Sequence, residues 1–75
     1  MEQQNVGESI TVVANGQPRS IPAGSTVADL LRQLNITTNY VVVQLNGEIV
    51  PRSDFAQVTL HEQNMLEIVT LVGGG

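Results

Sequence analysis

The chain contains neither cysteine nor lysine. Without cysteine there is no disulfide framework and no thiolate metal site. Without lysine there is no side-chain amine for a Schiff base or for an isopeptide branch. A single histidine, His61, excludes a histidine cluster, and its polar neighbours His61-Glu62-Gln63-Asn64 mark it as a solvated turn residue without a role. The cations are Arg19, Arg32 and Arg52 alone, set against seven acids, for a net charge of −4. Nucleic acid repels such a surface, and no basic stripe offsets that repulsion. A basic protein partner, found by electrostatic steering, suits it better. Asp54, Glu62 and Glu67 are scattered along the sequence and form no close pair for acid–base catalysis. Apolar runs are too short to span a bilayer. The opening residues Met1-Glu2-Gln3-Gln4-Asn5 are polar and acidic, unlike a signal peptide. These features lead us to expect a cytoplasmic protein without membrane contact, nucleic-acid partner, metal or bound cofactor.

What is present fits one small domain. The 75 residues are 41% hydrophobic, enough for a modest core near the lower size limit for folding without disulfides or metal. Residues 1–9 are polar and read as a flexible extension. The β-branched run Ile10-Thr11-Val12-Val13 reads as a strand, Asn15-Gly16 as a type I′ turn, and Gln17 to Ile21 as the returning strand. Pro18 cannot donate to a ladder, which places that strand on an edge. Pro22-Ala23-Gly24 breaks it. Thr26 is placed to cap a helix, with Asp29 three residues on as a shortened capping box at the positive end of the helix dipole. Val27, Leu30, Leu31 and Leu34 form one apolar stripe, and the helix is expected to end near Asn35. Further strands are expected at Val41 to Leu45 and Glu48 to Val50, joined by Asn46-Gly47. A turn carrying Phe55 inward, a short strand Val58-Thr59-Leu60, and a last apolar strand from Leu66 to Val72 complete the chain. A helix with one apolar stripe needs a sheet to cover it. The predicted fold is therefore α+β, a mixed sheet of four to five strands with one main helix on one face and the last strand beside the first.

The sequence ends on Gly73-Gly74-Gly75. An arm without side chains can thread a channel in which any Cβ would clash. Such an ending directs attention to the carboxylate of Gly75 itself. Alternation in the last strand sends Leu66, Ile68 and Val72 to one face and Glu67, Val69 and Leu71 to the other. With the helix covering only one face, Val69 and Leu71, joined by Val42, are candidates for an exposed apolar partner patch. Arg52, after Pro51, is a candidate contact for an acidic group or a phosphate.

Taken in order, Asn15-Gly16, Gly24 to Leu34, Asn46-Gly47-Glu48-Ile49-Val50-Pro51-Arg52, Leu66-Glu67-Ile68-Val69 and the terminal glycines resemble the ThiS family of sulfur carriers. The resemblance covers roughly residues 10 to 75, and no single piece of it is specific; the ordered set is. It implies a β-grasp (ubiquitin-like) domain over residues 10–72 and a flexible glycine tail over 73–75. It also implies a carrier rather than an enzyme. A ThiF-like enzyme would use ATP to adenylate the Gly75 carboxylate. Sulfur from a donor such as a cysteine desulfurase would then replace the adenylate, leaving a thiocarboxylate. A ThiG-like thiazole synthase would take that sulfur for the thiazole of thiamine. Gly73 and Gly74 would lie inside the partners' sites. With no cysteine for a persulfide, Gly75 is the one plausible attachment point. The residues leave three other readings open: the small subunit of molybdopterin synthase, a protein-conjugating modifier, and an interaction domain with an idle tail.

Overall fold

The computed structural model describes residues 8–37 and 39–71. Along the chain run β1 (Ser9–Ala14), β2 (Gln17–Pro22), α1 (Val27–Gln33), β3 (Val41–Leu45), β4 (Glu48–Val50), a 3-10 turn (Arg52–Asp54) and β5 (Met65–Thr70). The strands form one sheet in the order β2-β1-β5-β3-β4. β5 is parallel to β1 and antiparallel to β3, so the last strand does lie beside the first. This is the β-grasp arrangement. Of the nine residues expected to form an extension, Ser9 is already in β1, paired with Pro22; residues 1–7 lie outside the described residues, as do Val72 and the three terminal glycines.

Local chemistry accounts for most of these elements. Both Asn-Gly pairs take positive φ at each central residue: 52° and 81° at Asn15 and Gly16, 51° and 89° at Asn46 and Gly47. That is the type I′ geometry whose twist matches the flanking strands. β2, with Pro18, is the outer strand. At the helix start the capping box is complete, with the Thr26 hydroxyl accepting from the Asp29 amide and the Asp29 carboxylate accepting from the Thr26 amide. Arg32 also donates to that carboxylate. At the helix end Asn35 takes φ 61°, its amide donates to the Arg32 carbonyl, and the Ile36 amide donates to the Leu31 carbonyl. This pair of bonds is a Schellman closure, with asparagine in the left-handed position that glycine usually fills.

The helix lies across one face of the sheet. Val27, Leu30 and Leu31 join Val12, Ile21, Val43, Leu66 and Ile68 in the core, with Phe55 and Leu60 sealing one side. Leu34 is only half-buried. The expected strand Val58-Thr59-Leu60 does not form. Thr59 makes a single bridge to Thr26, while the Val58 and Ser25 carbonyls accept from Val27 and Leu60. Those bonds go to the helix entry instead of a sheet edge, so the segment acts as a strap that carries Leu60 into the core.

β1 and β5 overlap only slightly, pairing at Val13–Met65 and Ala14–Leu66. Each strand therefore overhangs the other, and each overhang is closed by side-chain or turn atoms. Beyond the end of β1, the Asn15 carboxamide accepts from the Ile68 amide (2.6 Å) and donates to the Ile68 carbonyl (2.9 Å). Before the start of β5, the Glu62 carboxylate accepts from the Thr11 amide (2.8 Å) and the Gln63 amide donates to the Thr11 carbonyl (2.6 Å). On the other flank Asn46 exchanges two bonds with Met65, its side chain accepting from the Met65 amide and its own amide donating to the Met65 carbonyl. Both turn asparagines thus do more than supply positive φ.

Glycine tolerates the φ of residue 15, so Asn15→Gly keeps the turn and removes the carboxamide. We expect a loss of about 1–3 kcal/mol in chemical denaturation, the scale of two hydrogen bonds to a part-buried backbone. Faster amide exchange at Ile68 should accompany it; a variant as stable as the parent, with Ile68 still protected, would refute the role. The Asp29 and Glu62 carboxyls are both held below the usual carboxylate range, chiefly by the amides of Thr26 and Thr11 respectively. Depressed folded-state values mean that their support is present at neutral pH and is lost as pH falls through those values. Urea titrations should therefore find Asp29→Asn less stable than the parent at pH 7, with the gap closing as pH drops below about 4. A gap independent of pH would show that the charge contributes nothing.

Candidate functional site

The strand that leads to the glycines is β5, and its surroundings define the candidate site. Register and alternation place Leu66, Ile68 and Thr70 toward the helix and Met65, Glu67 and Val69 toward the open face. Leu66 and Ile68 are buried, whereas Val69 and Leu71 are 51% and 52% exposed. Val69 pairs directly with Val42 of β3, and Val42 is half-buried beside it. One step further, the Leu71 amide donates to the Tyr40 carbonyl at 2.6 Å, which extends the antiparallel contact past the end of both strands. Val42, Val69 and Leu71 are thereby brought together at the tail end of the uncovered face.

Arg52 belongs to the same end of the molecule. Its guanidinium donates to the Asn39 carbonyl at 3.0 Å, one residue before Tyr40. The arginine fastens the segment leading into β3, and its remaining donors are on an exposed side chain. A planar guanidinium held this way is suited to a carboxylate on a partner.

Three exposed apolar residues do not stand out in the sequence. Tyr40 is 60% exposed and abuts Leu71 through the backbone. Ile49 faces outward opposite Gln44, and Met65 opposite Val13. The signal for them lies in strand register, which places each on the open face; read singly, an exposed apolar residue is ordinary. Gln44 and Glu67, paired across β3 and β5, divide this face. On the tail side are Tyr40, Val42, Val69 and Leu71; on the far side Met65 and Val13 border a depression of about 450 Å³ between the two Asn-Gly turns. The tail-side group is continuous with the chain that runs to the glycines.

Among the described residues no three of histidine, aspartate and glutamate approach closely enough to hold a metal, and no helix is long and apolar enough to cross a membrane. The groups available at the tail end are an apolar patch, a tethered arginine and the backbone. Such a set can be gripped by a partner and can position a chain end.

Comparison with known proteins follows the same lines. The family model described as the ThiS family matches residues 7–75, a span that includes the terminal glycines. The chain is 44% identical over 64 residues to a thiazole synthase of Paramagnetospirillum magneticum, covering 85% of this chain and 20% of that protein. It spans about a fifth of the length of the two thiazole synthases that it matches. It is 36% identical to the sulfur carrier protein ThiS of Bacillus subtilis over 67% of this chain and 76% of that one. Among solved structures, the thiamine biosynthesis protein ThiS of Geobacter metallireducens superposes with a TM-score of 0.73 at 30% identity, covering 88% of this chain and all of that one. The β-grasp sheet, the order of its turns and the family match through Gly75 agree: this chain belongs to the ThiS family.

Proposed function

We propose that this chain carries sulfur on the carboxyl group of Gly75 for synthesis of the thiazole of thiamine. The observation that carries the reading is the family match across residues 7–75, glycine run included, in a chain with no cysteine to hold sulfur otherwise. A free carboxylate is a poor electrophile. In the first step a Gly75 carboxylate oxygen attacks the α-phosphorus of ATP in a ThiF-like enzyme, and pyrophosphate leaves. A hydrosulfide equivalent, furnished by a donor such as a cysteine desulfurase, then adds to the acyl carbon. The acyl carbon–oxygen bond then breaks, AMP departs with the bridging oxygen and the electron pair of that bond, and loss of the sulfur-bound proton leaves a thiocarboxylate. The activation energy comes from ATP in the partner's site, so this protein acts as co-substrate and not as catalyst, in the cytoplasm where ATP is available. It binds no cofactor of its own.

The customer is a ThiG-like thiazole synthase. Support comes from the thiazole synthases of which about a fifth resembles this chain, which favour thiamine over molybdopterin as the end product. Gly73 and Gly74 provide reach, since glycines without Cβ atoms fit a narrow channel to a buried reaction centre. Val42, Val69, Leu71 and Arg52 form the grip by which each partner seats the domain while the tail enters its site.

Incubation with ATP, the adenylating enzyme and a sulfur source should exchange one oxygen for one sulfur in the intact mass. Deletion of Gly74 and Gly75 should abolish the exchange while leaving the melting temperature unchanged. Absence of exchange in the parent chain would contradict the carrier reading. Val69→Asp should raise the Kd for the adenylating enzyme by about tenfold or more, the scale of a hot-spot side chain, with an unaltered circular dichroism spectrum. Unchanged binding in a folded variant would remove Val69 from the grip.

A further inference from the structure

We infer that β5 carries a second recognition element, a free strand edge at Thr70 flanked by Arg19, shaped for an extended acidic segment of a partner protein. The direction of the β5 backbone groups follows from bonds on both flanks. Leu66 accepts from Asn15 and Ile68 is doubly bonded to the Asn15 carboxamide, so the even-numbered residues face the β1 side. Leu71 donates to Tyr40, so the odd-numbered residues face β3. The Thr70 amide and carbonyl therefore point to the β1 side, next in line after Ile68. There β1 has already ended, its last pairing with β5 being Ala14–Leu66. Among the described residues no strand or side chain closes this position.

An unpaired amide and carbonyl on a strand edge are a template for a further strand. The surroundings narrow the occupant. Thr70 lines a depression of about 410 Å³ with Asn15, Gln17, Arg19, Leu34 and Ile36. Leu34 and Ile36 offer it a half-buried apolar side. Arg19 pairs with Val12 through its backbone, while its exposed guanidinium meets no described side chain, in a chain whose net charge is −4. An isolated cation on an otherwise acidic molecule selects a carboxylate and disfavours a basic segment. A second copy of this chain suits the edge poorly, because edge-to-edge pairing would bring two Arg19 side chains together. The occupant is thus an extended segment of another protein, with a carboxylate for Arg19 and an apolar side chain for the depression. It would dock on the strand that leads to the tail, from the sheet edge, while the apolar grip is engaged from the face. The inference rests on the pairing pattern of β5 and stands apart from the chemistry at Gly75.

The test uses the full chain and two capped peptides, one alternating valine and glutamate, the other valine and lysine, followed by amide NMR and hydrogen exchange. In the free protein the Thr70 amide should exchange much faster than that of Ile68. The glutamate peptide should slow Thr70 exchange and shift Thr70 and Arg19, and the lysine peptide should not. Thr70→Pro removes the outward-facing amide without deleting a bond to β3, and Thr70→Val controls for the lost side chain; the proline variant alone should weaken peptide binding by about tenfold, the scale of one lost hydrogen bond. Arg19→Glu, which leaves the backbone intact, should reverse the preference toward the lysine peptide. Protection of Thr70 in the free protein, equal response to both peptides, or no response to either would overturn the inference.

Discussion

Two parallel strands that scarcely overlap set the terms for this domain. β1 and β5 share two residue pairs, yet β5 lies at the centre of the sheet and its inner face belongs to the core. An unpaired backbone group in such a place costs as much as a lost hydrogen bond or more. The Asn15 carboxamide presents one donor and one acceptor in the spacing of a peptide group, and so stands in for the strand that is missing beside Ile68. Glu62 and Gln63 do the same for Thr11 on the other overhang. The hairpin turn and the loop before β5 thus pin the central strand from both ends. With five residue pairs to β3 on its opposite side, β5 is fixed from Met65 to Leu71.

The proposed function draws on the position of that fixed strand. Its inner face closes the core, its outer face presents Val69 and Leu71, and its backbone runs on toward the glycines. The proposed carrier role, with its chemistry performed by others, calls for a firm part to be held by and a chain end that partners can reach. The stretch from Ile68 to Leu71 is the described part of the chain that comes next before that end. Among the described residues the bond nearest the glycines runs from Leu71 to Tyr40, and Arg52 steadies Tyr40's neighbour Asn39.

Much of this was legible in residues that act locally. Thr26 and Asp29 announce the helix start, Pro18 the outer strand, the Asn-Gly pairs their turns, and the alternation from Leu66 to Leu71 the two faces of β5. What sequence reading does not supply is the set of contacts made across long separations. Asn15 explains itself as a turn residue, so nothing in its neighbourhood points to Ile68, 53 positions away. Val58-Thr59-Leu60 has the composition of a strand, but its carbonyls and amides meet the helix entry, and only Thr59 bridges. Tyr40 joins the apolar patch because β3 and β5 are in one register and not another. The glycines were legible through resemblance and the family match; their reach is a property of composition, which requires no fold to read.

The most direct test of the central claim is the mass of the C-terminal peptide from the protein isolated from its own cells during growth without thiamine. The account predicts a fraction ending at Gly75 as a thiocarboxylate, with one oxygen replaced by sulfur and no modification elsewhere in the chain. A Gly75 found only as a carboxylate under that demand, or sulfur attached at any other residue, would contradict it.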